Sequence, residues 1–296
     1  MTTLVIDIGG TKISAARWSD GQLTHREVYP TPTSPTDFED CLALLIRNTS
    51  GINAVAVCAT GFTDGAVMYA VNRTMISFWN GYPLRATLEK LTTLPVIIVN
   101  DAQAAAWGEY RVQSSDADLM FVTLSTGVGA GLILDGQLRH GPRGLAGHVG
   151  HTRSQVDALD GCQLCSCGQW GCLETVASGA ALARQASKQL GRAVDAADVH
   201  ALASAGDVPM LGLLQNAASA VATNLLQIST TLDIRRIVLG GSVGLAPLTM
   251  QLIDQAMQQA VPDLFKLDIQ PARLGPDAGL IGVGYLFADR RPIPSQ

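Results

Sequence analysis

The chain has 296 residues, 47% of them hydrophobic and 15% charged, with a formal net charge of −5. That length suits about two domains of ~150 residues, and the apolar fraction excludes a disordered polypeptide, which could not offset the entropy of ordering. The negative balance disfavours nucleic-acid binding by bulk charge, and no run approaches the ~20 apolar residues that span a bilayer.

The first hundred residues alternate strand and helix. Leu4-Val5-Ile6 reads as a short strand running into Asp7-Ile8-Gly9-Gly10-Thr11. Ile13–Trp18 and Leu23–Tyr29 read as two more strands split by an Asp20-Gly21 turn. Phe38, Cys41, Leu42 and Leu45 recur at helical spacing behind Ser34-Pro35. Ala54–Val57 is a buried strand, Leu84, Leu88 and Leu91 mark a helix, and Pro95–Val99 is the next strand. It ends at Asn100-Asp101, and the helix-favouring run Ala102–Tyr110 follows.

The opening pattern then returns. Leu119–Leu124 is a strand, Ser125–Gly131 a turn of small residues, and Leu132–Leu134 a strand ending in Asp135-Gly136-Gln137-Leu138. The first copy ends in Asp20-Gly21-Gln22-Leu23, so two related halves are expected. Further on, Met210–Leu232 carries one apolar face of a long helix. A core role is favoured over a coiled-coil seam because regular flanking charge pairs are missing, although the helix makes a homodimer plausible. Arg236–Leu239 is a strand running into Gly240-Gly241-Ser242, and Ala278–Asp289 is a last helix expected to cross back onto the first half. Strands alternating with helices imply an α/β fold, with lobes at residues 1–115 and 116–296. Met1–Asp7 has no basic start and carries an acid where a signal core would run, so a cytoplasmic protein is expected. The six cysteines then read as thiols or metal ligands, with Cys41 and Cys58 as core thiols.

Three strand ends run into glycine. Paired glycines let backbone N–H groups approach an anion, and the Thr11 hydroxyl can donate to a phosphate oxygen. A carboxylate such as Asp7 beside phosphate calls for a cation, which points to Mg²⁺. The turns at Gly9-Gly10, Ser125–Gly131 and Gly240-Gly241 lack both the dinucleotide and the P-loop spacings, which argues against hydride chemistry and points to a nucleotide held between two lobes. Asp101 stands where a carboxylate could accept a hydroxyl proton, but Asn100 or Asp101 would equally cap the following helix. Cys165-x-Cys167-x4-Cys172 with His151 supplies three thiolates and an imidazole, a closed tetrahedral set for structural Zn²⁺. Cys162 is a fifth candidate, and free thiols or a disulfide are the alternatives. Glu174 is either a ligand-binding carboxylate or a first-turn acid favoured by the helix dipole.

The segments Asp7–Lys12, Ser125-Thr126-Gly127-Val128-Gly129, Leu239–Ser242, and Gly150-His151 followed by the cysteine run through Glu174 resemble the ROK family, bacterial sugar kinases and related repressors on the actin/hexokinase (ribonuclease H-like) fold. The resemblance covers nearly the whole chain and implies a two-lobe ATPase fold with a cleft. It implies Mg-ATP at Asp7, Gly9, Gly10, Thr11, Lys12, Ser125, Thr126, Gly127, Gly129, Gly131, Gly240 and Gly241. It makes Asp101 the base for a sugar C6 hydroxyl, puts Thr60, Gly61, Asn100, His148, His151 and Glu174 beside the sugar, and gives the zinc a structural task. Asn100–Trp107, Gly144–His151 and Gly240–Ala246 resemble the members that phosphorylate N-acetylmannosamine in sialic acid breakdown. Alternatives are another hexose (N-acetylglucosamine, glucose or fructose), a sugar-sensing repressor and a zinc-braced interaction module. The repressor is disfavoured because the first strand at Leu4 leaves no room for a preceding DNA-binding domain.

The sequence departs from the family in a few places. His148 stands where a Glu is usual, Ser125 replaces a leading Gly, the loop Ala59–Asp64 lacks a Pro-Gly pair, and Met75 occupies the place of a usual sugar-contacting Asn, which leaves Asn72 or another loop residue to supply it. An imidazole donates where a carboxylate only accepts, so His148 is expected to tune recognition near C2 of the sugar.

Overall fold

The computed structural model describes residues 2–72, 76–113, 117–260 and 265–289. Strands β1 (Thr3–Ile8), β2 (Lys12–Ser19) and β3 (Gln22–Pro30) form an antiparallel meander. Asp20 and Gly21 both take positive φ, at 49° and 82°. That is the two-residue turn whose twist matches the flanking strands, and Asp-Gly favours it. Helix α1 (Pro35–Asn48) starts where the Ser34 hydroxyl accepts from the Asp37 N–H at 3.2 Å, with Pro35 in its first turn. It buries Phe38, Leu42 and Leu45, whereas Cys41, expected in the core, lies half-buried at the edge of that stripe.

Strand β4 (Ala54–Ala59), buried along its whole length, runs parallel to β1. A small sheet of β5 (Phe62–Thr63), β6 (Met68–Tyr69) and β7 (Asn80–Tyr82) and helix α2 (Leu84–Leu91) lead to β8 (Val96–Asn100), parallel to β4. The first sheet is ordered β3-β2-β1-β4-β8. Helix α3 (Asp101–Val112) follows directly.

The second sheet repeats that order. Strands β9 (Leu119–Leu124), β10 (Val128–Leu134), β11 (Gln137–Arg139), β12 (Arg236–Gly240) and β13 (Asp268–Pro271) are arranged β11-β10-β9-β12-β13. Asp135 and Gly136 again have positive φ, at 54° and 66°, so the duplicated tetrapeptide marks duplicated hairpins. The helices of this half are α4 (Glu174–Ala177), α5 (Gly179–Leu190), α6 (Ala196–Ser204), α7 (Val208–Leu232) and α8 (Pro247–Ala260). Helix α7 starts two residues before the expected Met210, because Asp207 caps it through the Met210 N–H at 3.1 Å. Its apolar face is used within the chain, against α4, α5, α6 and α8.

Helix α9 (Ala278–Asp289) packs on β1, β2, β4 and α3, with Tyr285 edge-on to Trp18 at 5.3 Å between ring centroids. Helices α3 and α9 touch backbone to backbone. A Cβ on Gly282 would fall 1.8 Å from the Ala104 carbonyl oxygen. Helix α3 also lies against β9 and β10, which makes it the element shared by both sheets. Residue 115, the expected lobe boundary, and Met75 lie outside the described residues.

Candidate functional site

Strands β1, β4 and β8 are parallel, so their C-terminal ends emerge at one edge of the first sheet. A ligand crevice forms naturally outside such strand ends. Here a cleft of about 400 Å³ is lined by Gly9, Gly10 and Thr11 after β1, Thr60 and Gly61 after β4, and Asn100 and Asp101 after β8. The opposite side is Ser125, Thr126, Gly127 and Gly129 of the β9–β10 turn, with His148, His151 and Glu174. The topology thus brings residues from 9 to 180 into one cavity.

Asn100 and Asp101 have separate partners. Asn100 Oδ1 accepts from the Gln103 N–H at 3.0 Å and so caps α3, while its amide donates to the Gly61 carbonyl and to Asp101 Oδ1, both at 2.8 Å. The Ala102 N–H also donates to Asp101 Oδ1, at 2.8 Å. Both bonds fall on one oxygen, and Asp101 Oδ2 takes neither. Burial pushes the Asp101 carboxyl up to about 7, the charge of Asp7 adds to this, and the hydrogen bonds oppose it. Asp7 is pushed up to about 6 by burial, against the pull of the Cys58 thiol and of Lys12.

Glu174 opens α4, and its Oε2 accepts from the Val128 N–H at 2.9 Å. The carboxylate lies across Gly127, where a Cβ would meet Oε2 at 2.6 Å. The Ser125–Gly129 turn is held further by α5, whose Gly179 and Ala180 N–H groups donate to Ser125 and Thr126 carbonyls at 2.6 and 3.2 Å.

His148 lies in a row of rings. Phe62 is edge-on at 6.3 Å and His151 is stacked at 6.3 Å. Burial lowers the His148 pKa, with the neighbouring His151 adding to this, while hydrogen bonds to the Leu145 and Gly61 backbone oppose it. An uncharged imidazole is therefore favoured at neutral pH.

Behind it, the ligand atoms of His151, Cys165, Cys167 and Cys172 lie within 4.8 Å of one another. Cys165 Sγ is 3.4 Å from His151 Nδ1, and Cys167 Sγ is 3.5 Å from Cys172 Sγ. Four such ligands on a tetrahedral Zn²⁺ are separated by roughly 3.5–3.8 Å, so this set fits the ion. All six cysteines are free thiols. Cys162 stands apart, 3.5 Å from Arg153 Nη1, and is not one of the four.

Five residues expected at the nucleotide do not line this cleft. Lys12 is exposed on β2, and Asp7 sits behind the Gly9 turn beside Cys58, its strand-register partner. Gly131 faces α3, where a Cβ would meet Ala106 Cβ at 2.5 Å, and Gly240 faces the Phe121 ring at 2.8 Å. Gly241 turns the chain at φ 82° against the Leu124 carbonyl. The sequence reading missed Ile76 and Trp79, which form an apolar wall of the cleft, and Gln103, a polar side chain buried in an alanine run. That polar residue on a buried helical face was the available signal for Gln103. For Ile76 and Trp79 there is none, since an apolar residue that lines a cleft carries the same local pattern as one in the core.

The family model described as ROK family matches residues 3–290. The chain belongs to the ROK family. It is 40% identical, over 97% of its length and 98% of the relative's, to an N-acetylmannosamine kinase of Escherichia coli O127:H6. Among solved structures of the family it is similar to the ROK hexokinase from Thermus thermophilus, with a TM-score of 0.84, 31% identity, and 98% and 99% of the two chains covered. It is also similar to a ROK family glucokinase from Streptomyces griseus in complex with glucose and AMPPNP, with a TM-score of 0.81, 29% identity, and 97% and 99% covered. The fold is thus the actin-like sugar-kinase fold of these ROK proteins. No helix among the described residues is long and apolar enough to cross a membrane.

Proposed function

We propose that the protein transfers the γ-phosphoryl group of ATP to the C6 hydroxyl of N-acetylmannosamine. The observation that carries this is Asp101, held by one oxygen in a cleft between the Gly9–Thr11 and Ser125–Gly129 turns, in a family member 40% identical to an N-acetylmannosamine kinase.

Asp101 accepts the C6 proton as the sugar oxygen attacks the γ-phosphorus in line. The O–P bond to the sugar forms, the bond to the β-phosphate oxygen breaks, and ADP leaves. A carboxyl raised to about 7 suits this, because a base works best with a pKa near the operating pH. The Gly9, Gly10 and Thr11 turn and the Ser125–Gly129 turn cradle the phosphates through backbone N–H groups and hydroxyls. Mg²⁺ bound with ATP would neutralise phosphate charge; Asp7, buried beside Cys58 behind the Gly9 turn, does not line the cleft as a ligand to it. Asn100, Glu174, His148 and His151 take the sugar hydroxyls and acetamide. A buried polar partner of that kind discriminates strongly, since a missing hydroxyl leaves it unpaired. Zn²⁺ on His151, Cys165, Cys167 and Cys172 would brace the loop between His148 and Glu174 and has no part in the chemistry. The two sheets, with α9 carried on the first, act as two halves whose closure excludes water, a competing nucleophile.

Incubation with Mg-ATP and a panel of hexoses, followed by ADP detection, tests the reading. Highest kcat/KM with N-acetylmannosamine is expected. Faster turnover of another hexose would reassign the substrate, and no ADP with any sugar would overturn the kinase reading.

A further inference from the structure

Gln103 is 1% exposed, and all three arms of its carboxamide have partners. Nε2 donates to the Ala146 carbonyl at 2.9 Å and lies 3.4 Å from that of Gly144. Oε1 meets His140 Nδ1 at 2.8 Å. Two carbonyls on one side require the amide nitrogen there, so the oxygen faces His140 and that ring must carry its proton on Nδ1. Burial lowers the His140 pKa, which keeps the ring neutral.

These three partners belong to one tight loop. The Ala146 N–H closes it onto the His140 carbonyl at 3.0 Å. Gly144 rests against β5, where a Cβ would fall 1.9 Å from the Thr63 carbonyl oxygen, and Gly147 rests against Ala130 of β10. His148 follows immediately. We propose that Gln103 is a positioning residue that fixes the His148 loop against the helix that begins with Asp101. One helical turn then sets the distance between the group that aims the reacting hydroxyl and the group that reads the rest of the sugar. This rests on the sugar-kinase reading above. It follows from burial, since an amide with three partners inside the protein is costly to leave unpaired and so holds its loop in one place.

The test is histidine-ring ¹⁵N NMR of the full chain together with steady-state kinetics of Gln103→Leu. In the wild type, His140 should give the Nδ1–H tautomer. In Gln103→Leu that signature is lost and the His148 resonances move, while His200, bonded to Ala196 and Thr249, stays as an internal control. The KM for N-acetylmannosamine should rise at least fivefold, with the KM for ATP unchanged within twofold. Unmoved His148 resonances, or sugar and ATP KM values rising together, would overturn the proposal. If Gln103→Leu does not fold, His140→Phe removes the second partner and should move His148 and the sugar KM in the same direction. No change in either would be equally fatal. Absence of any sugar turnover by the wild type would reject the kinase reading, and the ring spectra would still test the clamp.

Discussion

Asn100 donates to Asp101 at 2.8 Å and at the same time caps α3 with its side-chain oxygen, so the N-cap falls to Asn100, and Asp101 takes the Ala102 N–H on the same oxygen that Asn100 meets. Two adjacent polar residues at a strand end would otherwise compete for that task. The division separates the fold's requirement from the carboxylate in the cleft.

Asp101→Asn should therefore keep the fold. We expect kcat to fall by roughly 10²–10⁴, the range of general-base contributions, with ATP affinity unchanged within about twofold. Steady-state kinetics and a nucleotide titration measure both. Activity within a few-fold of the wild type would remove Asp101 from the chemistry.

The same substitution has a pH signature. Asp101 and Asp7 are raised from 3.8 to about 7 and about 6 in the folded state, burial being the first cause. Their contribution to stability is fully present below about 3.8 and is lost as pH rises through about 6 and 7, because the folded chain must then ionise buried carboxyls. The gain in Tm of Asp101→Asn over the wild type should grow between pH 4 and pH 7 and level off above. A pH-independent difference in calorimetric scans would contradict the buried-carboxylate account.

Gly127 and Gly144 should respond differently to alanine. At Gly127 the new Cβ meets Glu174 Oε2, the far end of a flexible side chain, so Glu174 turns away and loses its bond to the Val128 N–H. Loss of one hydrogen bond costs about 1 kcal/mol, so Tm should hardly change while the sugar KM rises several-fold. At Gly144, φ is 71° and the Cβ meets the Thr63 backbone, which cannot swing aside. Strain of about 1–3 kcal/mol or more should lower Tm clearly. Equal Tm losses in the two variants would refute this reading.

Purified protein should contain one zinc per chain. Removal by a strong chelator should lower Tm and expose the 151–172 segment to proteases, because four ligands within 4.8 Å are left without the ion that holds them. Elemental analysis with no zinc, or an unchanged proteolytic pattern after chelation, would reject the site.

His148→Glu should lower the ratio of N-acetylmannosamine to glucose turnover at least tenfold. It exchanges a neutral ring, able to donate, for a carboxylate that only accepts. An unchanged ratio in paired kcat/KM measurements would end the specificity role.

The sequence by itself determined the local elements and the family. Asp20-Gly21 and Asp135-Gly136 specify their hairpins through the positive φ that such pairs tolerate, and the Cys165–Cys172 spacing with His151 specifies four ligands, because both features are governed by residues close in the chain. Only the tertiary structure decided which of Asn100 and Asp101 caps α3, that Gly131 and Gly240 fill packing contacts while Gly127 faces Glu174, and that Gln103 reaches the loop ahead of His148. These depend on elements meeting across long stretches of chain, and a local pattern of glycines or amides reads the same whichever surface comes to rest against it.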